Sequence, residues 1–417
     1  MNREKRWFYT ALGIMVLAFA IVGLANYLLD PYGLFRKDFS WQFVEPNSNF
    51  IKVRHVTEHP DRYDCFVFGS SRVSNIDVRT IKNFRCYNMT CNGGLPYEFL
   101  NNLRYMLKKG VSMKLVLVGL DDFSFRTNPA ERLSQPLRHP YPPVLNQHLA
   151  PFYLRYLFSL HAQHIMSPVV KGYLAKIRGK TEMPIYYDIP NTGQILAPAV
   201  DKFIEEHAEA YRNDPRFEEK IESVTGDNMK GAVEDLTQMV TLLKAHGLRS
   251  IFFINPPYKN WFLNLNLNEF GRFEKELAGL TDFYDFSGLN SITRDAYNFY
   301  NPSHYRLPIG NVMLARMLDD NTNSHSRGDR GGSEESIAEH PVRTQAYLGV
   351  RRGERSRSIL EGCSDNEGIH MKANWYETTP VPADFGVLVT SENVEAHLQQ
   401  LREQVAAEVH SAETRQK

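Results

Sequence analysis

Residues Trp7–Leu29, WFYTALGIMVLAFAIVGLANYLL, carry no charge and a single amide, Asn26. At ~1.5 Å per residue, a helix of this length crosses the ~30 Å hydrocarbon core of a bilayer. In hydrocarbon the backbone must satisfy its own hydrogen bonds, so such a segment has to be helical. Arg3, Lys5 and Arg6 precede it, and cations gather on the cytoplasmic side of a span. Trp7, Phe8, Tyr9 and Tyr27 suit the two interfaces. Residues 1–30 therefore read as a cytoplasmic stub and a single-pass anchor of the bacterial inner membrane, with the main domain periplasmic. A cleaved signal peptide, with Gly23 and Ala25 as its small residues, is the alternative, but the apolar run is long for one. Asp30-Pro31-Tyr32-Gly33 then breaks the helix at the outer surface.

The rest of the chain is long enough for a large core, with 42% hydrophobic residues over 417 positions. The 48 basic and 48 acidic residues cancel, so a global attraction to nucleic acid is not indicated. Cys65, Cys86, Cys91 and Cys363 make no CxxC pair and no zinc spacing. They read as buried free thiols, with a Cys86–Cys91 disulfide as the option in an oxidising compartment.

Short apolar runs alternate with amphipathic stretches. Phe66–Phe68, Phe84–Met89, Leu115–Val118, Ser250–Ile254 and Asp282–Phe286 read as strands. Pro96–Lys109, Asp227–His246 and Ile309–Leu318 read as helices, the first two ended by Gly110 and Gly247. Such alternation predicts an α/β fold, a mainly parallel sheet with helices on both faces. The main domain spans residues 31–320, interrupted by a Pro- and aromatic-rich insertion at 125–226 that is placed to cap a site. Residues 321–380 read as a flexible polar linker, and 381–417 as a short strand and an amphipathic helix that docks on the main domain or a partner.

Ligands of an open parallel sheet bind beyond the carboxyl ends of its strands, and the polar clusters fall there. Ser70 and Ser71 follow the first strand, Asn92-Gly93-Gly94 the second, Gly119-Leu120-Asp121-Asp122 the third and Asn255-Pro256-Pro257-Tyr258 the fourth. Asn301-Pro302-Ser303-His304-Tyr305-Arg306 precedes the closing helix. A serine hydroxyl is a weak nucleophile until a neighbouring base takes its proton, and histidine has the pKa for that task.

In this order the clusters resemble the blocks of the SGNH/GDSL hydrolase superfamily. Gly69-Ser70-Ser71-Arg72 looks like Gly-Asp-Ser-Leu, with Ser71 as nucleophile. Gly94 matches the second-block glycine, Gly119-Leu120-Asp121-Asp122 looks like Gly-x-Asn-Asp, and Asn301-Pro302-Ser303-His304 looks like Asp-x-x-His with His304 as base. The resemblance covers about Arg62–Leu318 and implies a three-layer α/β/α, flavodoxin-like arrangement. The anchor, the Asp30-Pro31-Tyr32-Gly33 exit and the Ser-His-Tyr-Arg ending resemble membrane-anchored relatives that act in D-alanylation or acetylation of envelope polymers. The implied activity is ester cleavage or O-acyl transfer on an envelope polysaccharide or related polymer, with a membrane-bound O-acyltransferase as a partner and no cofactor.

Two positions depart from the blocks. Asp121 stands where an asparagine normally donates to an oxyanion, and an ionised carboxylate would repel that charge. The amides of Ser71 and Gly94, or the side chain of Asn92, would then hold the oxyanion. Asn301 stands where an aspartate normally orients the base; Asp295 or Asp285 is placed to substitute, or a Ser–His dyad acts alone. Both departures keep open a catalytically inactive scaffold or a glycan-binding subunit of an envelope polysaccharide assembly complex. Arg72, Arg306 and Tyr258 are placed to bind substrate. His161 and His164 have no nearby carboxylate and read as no metal site, and Gly69-Ser70-Ser71 lacks the lysine of a phosphate loop.

Overall fold

A strand whose every residue is apolar needs cover on both faces, and the central strands of this chain have it. The computed structural model describes residues 3–36, 39, 42–131, 133, 135–161, 163–179, 185–219, 226–326 and 381–415. Six strands form one sheet: β1 (Cys65–Phe68), β2 (Cys86–Asn88), β3 (Leu115–Leu120), β4 (Arg249–Ile254), β5 (Phe283–Asp285) and β6 (Val387–Val389). They lie in the order β6-β5-β4-β3-β1-β2. The first five are parallel, and β6 pairs antiparallel to β5. Each strand position expected from sequence is present.

Alternate residues of the strands point to opposite faces. Phe66, Phe68, Val116, Val118, Phe252 and Ile254 share one buried cluster with residues of α3 (Pro96–Lys108), α7 (Met229–Ala245), α8 (Leu267–Leu280) and α10 (Val394–Arg415). Cys65, Val67, Leu115, Leu117, Ile251 and Phe253 share the opposite one with Ile309, Met313 and Met317 of α9 (Leu307–Ser326). Helices therefore cover both faces of the sheet.

The N-terminal segment is helix α1 (Arg3–Leu29), long and apolar enough to cross a membrane and exposed over most of its length. The insertion supplies α4 (Leu149–Leu157), α5 (Gln163–Ile177), a small hairpin of Tyr186–Asp188 with Gln194–Leu196, and α6 (Pro198–Glu206). Helices α2 (Ser48–Glu58), capped by the Asn47 side chain on the Phe50 amide, and α8, capped by Asn266, were not legible in advance, nor were the helices of the insertion. Helix α9 runs on to Ser326, and the rest of the expected linker lies outside the described residues.

The cysteine expectation is corrected. Cys65 and Cys86 face each other in the β1–β2 register and form a disulfide, with their Cα atoms 4.2 Å apart. Cys91 lies past the end of β2 as a buried thiol outside that bond, and Cys363 is not among the described residues. The C-terminal segment docks on the main domain. Strand β6 completes the sheet edge, and Leu398 and Leu401 of α10 join the core beside α8.

Candidate active site

The strand order β5-β4-β3-β1-β2 reverses its winding between β1 and β3, where the chain leaves the two strands toward opposite sides; ligands of open parallel sheets bind at the carboxyl ends there. Gly69 ends β1 there and Gly119 lies in β3 beside it. A Cβ on either would collide with Val73, which is why the turn after β1 can lie directly on the strand ends. That turn is a 3-10 helix, Ser71–Asn75, with Ser70 as its cap.

The cap separates the two serines. Ser70 is fully buried, and its hydroxyl accepts the Arg72 amide at 3.2 Å. Ser71 is half-buried, and its Oγ lies 2.9 Å from His304 Nε2. His304 sits on a short hairpin of Phe299–Asn301 with His304–Tyr305. The insertion braces this hairpin. Tyr211 donates its hydroxyl to the Tyr300 carbonyl at 2.7 Å, and Asp201 accepts from the Tyr300 hydroxyl at 2.6 Å and from Arg306 Nε at 2.9 Å.

Asn301 sets the tautomer of His304. Its Oδ1 accepts the amides of Ser303 at 3.0 Å and His304 at 3.1 Å. Two backbone donors on one oxygen identify it as the carbonyl end of the amide. The same oxygen lies 3.0 Å from His304 Nδ1, so that nitrogen carries the proton and donates. Nε2 is then left with its lone pair toward the Ser71 hydroxyl. Ser303, which sequence reasoning missed, places its own hydroxyl 2.8 Å from Nδ1. Burial and then the nearby Arg72 charge lower the His304 pKa to about 4, so the imidazole is neutral near pH 7.

The other expected site residues have different partners. Asp295 caps the 3-10 turn at Tyr297 and pairs with Arg212 at 3.1 Å, so it does not orient His304. Asp285 is held by Ser287 and His397. Asp121 is 1% exposed and accepts from Arg72 at 3.2 Å and Asn255 at 3.0 Å; burial raises its pKa. Arg72 also pairs with Asp122 at 2.8 Å and lies over the Trp261 ring, so it is buried and not presented to a substrate. Arg306 is 0% exposed between Asp201 and Glu205, again a brace and not a substrate contact. Tyr258 is buried too, and its amide holds the Pro302 carbonyl at 3.0 Å. Its place behind the Asn301–His304 turn is structural.

The oxyanion expectations narrow in the same way. The Gly94 amide donates to the Cys91 carbonyl at 3.1 Å, closing a turn. The Asn92 amide nitrogen donates to Glu45, and its oxygen accepts from Arg138 at 2.9 Å. The Ser71 amide has no hydrogen-bond acceptor among the described residues.

Away from Ser71 and His304, Glu274, Asp285 and His397 bring ligand-type atoms within 4.8 Å of one another at the junction of α8, β5 and α10. His161 packs against the rings of Tyr32 and Tyr156. No protein-family model matches the chain, and no curated protein matches it.

Proposed function

We propose that the chain is a membrane-anchored, extracytoplasmic SGNH-like esterase or O-acyltransferase that works on a cell-envelope polysaccharide or related polymer. The observation that carries the proposal is the Ser71 Oγ–His304 Nε2 contact of 2.9 Å, with the far ring nitrogen held on Asn301. Ser71 Oγ attacks the acyl carbon of an ester while its proton passes to Nε2. The Ser71 amide faces the oxyanion. Collapse breaks the ester bond, and the leaving alcohol takes the proton back from His304, which leaves an acyl group on Ser71. Water or an acceptor hydroxyl then attacks that acyl-enzyme while His304 removes its proton, and the bond from the acyl carbon to Ser71 Oγ breaks as His304 returns the proton to Ser71.

The three-layer arrangement belongs to the same proposal, supported by the order of the blocks and by helices on both sheet faces. So does the compartment, supported by the basic residues before α1 and by the Cys65–Cys86 disulfide. A membrane-bound O-acyltransferase is the partner this reading accommodates, and co-purification of such a protein with the full chain in mild detergent tests it.

The chemical test uses a fluorophosphonate probe on the full chain in detergent. Ser71 should be labelled, Ser71→Ala should abolish labelling, and His304→Ala should strongly reduce it. A second reading, a catalytically inactive scaffold or glycan-binding subunit, is favoured by one observation. Gly94 and Asn92, the donors expected beside Ser71, are committed to Cys91, Glu45 and Arg138. A folded chain that no probe labels and that turns over no activated ester decides for the scaffold.

A further inference from the structure

Helix α1 does not stand alone. Asn26, buried in the last turns of the helix, donates its side-chain amide to the carbonyls of Leu157 at 2.7 Å and Ser159 at 2.8 Å, at the end of α4. Asp30 accepts the Leu34 and Phe35 amides and the Tyr156 hydroxyl, so the chain leaving α1 is fixed to α4 as well. Phe158 then lies against α1 itself. Its ring is 6.0 Å from that of Phe19, and a Cβ on Gly23 would meet it at 2.9 Å.

These contacts set a depth. Gly23 lies six residues and Phe19 ten residues before Leu29, the last helical position. At ~1.5 Å per residue, Phe158 sits about 9–15 Å inward from the outer end of α1. If α1 spans a bilayer with a core of ~30 Å, that depth is within the outer leaflet.

The surfaces around Phe158 have the chemistry of that depth. Leu154 and Phe158 are exposed, and Leu160 is 87% exposed. On α5, Val170, Leu174 and Ile177 follow the i, i+4, i+7 spacing of one helix face and are all exposed, Ile177 at 80%. Over residues 149–179 the sequence has no Asp or Glu, and four cations, Arg155, Lys171, Lys176 and Arg178. An apolar face flanked by Lys and Arg without acidic residues matches an interfacial helix on anionic lipid.

We infer that α4 with Phe158–Leu160, and α5, are seated in the outer leaflet beside α1, their apolar side chains among acyl chains and their cations at anionic phospholipid headgroups. The globular domain is then held at the membrane by a surface as well as by a tether, and its orientation to the bilayer is fixed. This inference rests on α1 being a transmembrane anchor.

The test reconstitutes the full chain in vesicles of phosphatidylcholine and phosphatidylglycerol, with a nitroxide on a single introduced cysteine in a Cys363→Ser background. Leu17→Cys in α1 is the lipid reference and the exposed Thr241→Cys of α7 the water reference. Labels at Leu160→Cys and Leu174→Cys should be relaxed by oxygen more than by a water-soluble nickel chelate, as at Leu17→Cys. If they behave as Thr241→Cys does while Leu17→Cys reads lipid, the inference fails and the anchor stands. If Leu17→Cys reads water, the anchor fails and the inference with it. Shielding of both sites from both relaxants would mean that a second copy of the chain covers them, which also overturns the lipid assignment.

Discussion

His304 and His397 are both held by side chains near the carboxyl end of the sheet, and their surroundings differ in one respect. His304 has a neutral amide on one nitrogen and a hydroxyl on the other. His397 has Asp285 on Nε2 at 2.8 Å, with Glu274 close behind, and both carboxyl groups are buried. Burial, then the neighbouring Asp285, push the Glu274 pKa well up. The carboxylate that could have turned His304 into a stronger base is found at the other histidine. In the His397 cluster the Ser287 hydroxyl donates to Asp285 at 3.0 Å and not to the ring, and the cluster sits where α10 closes the sheet, so it works as a clasp. The His304 cluster has the Ser71 hydroxyl on Nε2 and a neutral ring, the arrangement that the proposed acyl chemistry uses. On the proposed reading, proximity of a carboxylate to a histidine does not mark the reactive site in this chain; a serine hydroxyl placed on the ring nitrogen does.

The contrast breaks most readily at Arg72. Its guanidinium neutralises Asp121 and Asp122 and adds the positive field that helps hold His304 neutral. Arg72→Met should leave two buried carboxylates without their cation and cost about 3–5 kcal/mol of stability. Adding Asp121→Asn and Asp122→Asn should recover part of the loss, because the uncompensated charges are then gone. Urea unfolding of the three chains measures this, and an unchanged midpoint for Arg72→Met would show that the pair of ion contacts is not holding the site.

His397 comes next. His397→Leu removes one donor to Asp285 while filling similar space, and should cost about 1–3 kcal/mol as a buried acceptor loses one of its partners. The expected local sign is protease cleavage between the main domain and α10. Fluorophosphonate labelling of Ser71 should be retained. Loss of labelling in a chain that is still folded would mean that the clasp and the Ser71 site are one coupled unit.

What was legible in sequence was what local pattern dictates. Five apolar runs became the parallel strands, and Ser71, placed after the first of them, meets His304, placed before the closing helix, across 233 positions of chain. Asn301 was read as the variant member of its block, and its carbonyl does lie on His304. What stayed hidden was pairing between side chains far apart in sequence. Arg306 looks like a ligand for an anion until Asp201, 105 positions away in the insertion, is seen on it. Asp295 looks like a spare acid until Arg212 is seen. The disulfide depends on a strand register that places Cys65 opposite Cys86. Charge type is local information, whereas a charge's partner is a property of the fold.

The smallest expected effect is at Asn301, and it tests the contrast directly by giving His304 what His397 has. An aspartate at 301 can accept the same two amides, from Ser303 and His304, so the turn should be kept. Its charge would face the Nδ1 proton and favour the imidazolium. In the native chain the His304 pKa is lowered to about 4, so Ser71 reactivity should persist as pH falls through 6.5 and disappear only near 4. The same depression makes His304 contribute stability that is present above its unfolded value of 6.5 and lost as pH falls toward about 4. Asn301→Asp should raise the pKa, move the acid limb of the Ser71-dependent rate to higher pH, and speed acyl transfer from a small activated ester near neutrality. A tenfold gain corresponds to ~1.4 kcal/mol of barrier. Asp295→Asn serves as the control, because its partner is a half-exposed arginine and the Ser71 rate should not respond. A rate that falls with Asp295→Asn and ignores Asn301→Asp would reverse the roles assigned to the two residues. A shifted acid limb without a faster rate would place His304 beside Ser71 as a titrating neighbour that does not limit the chemistry.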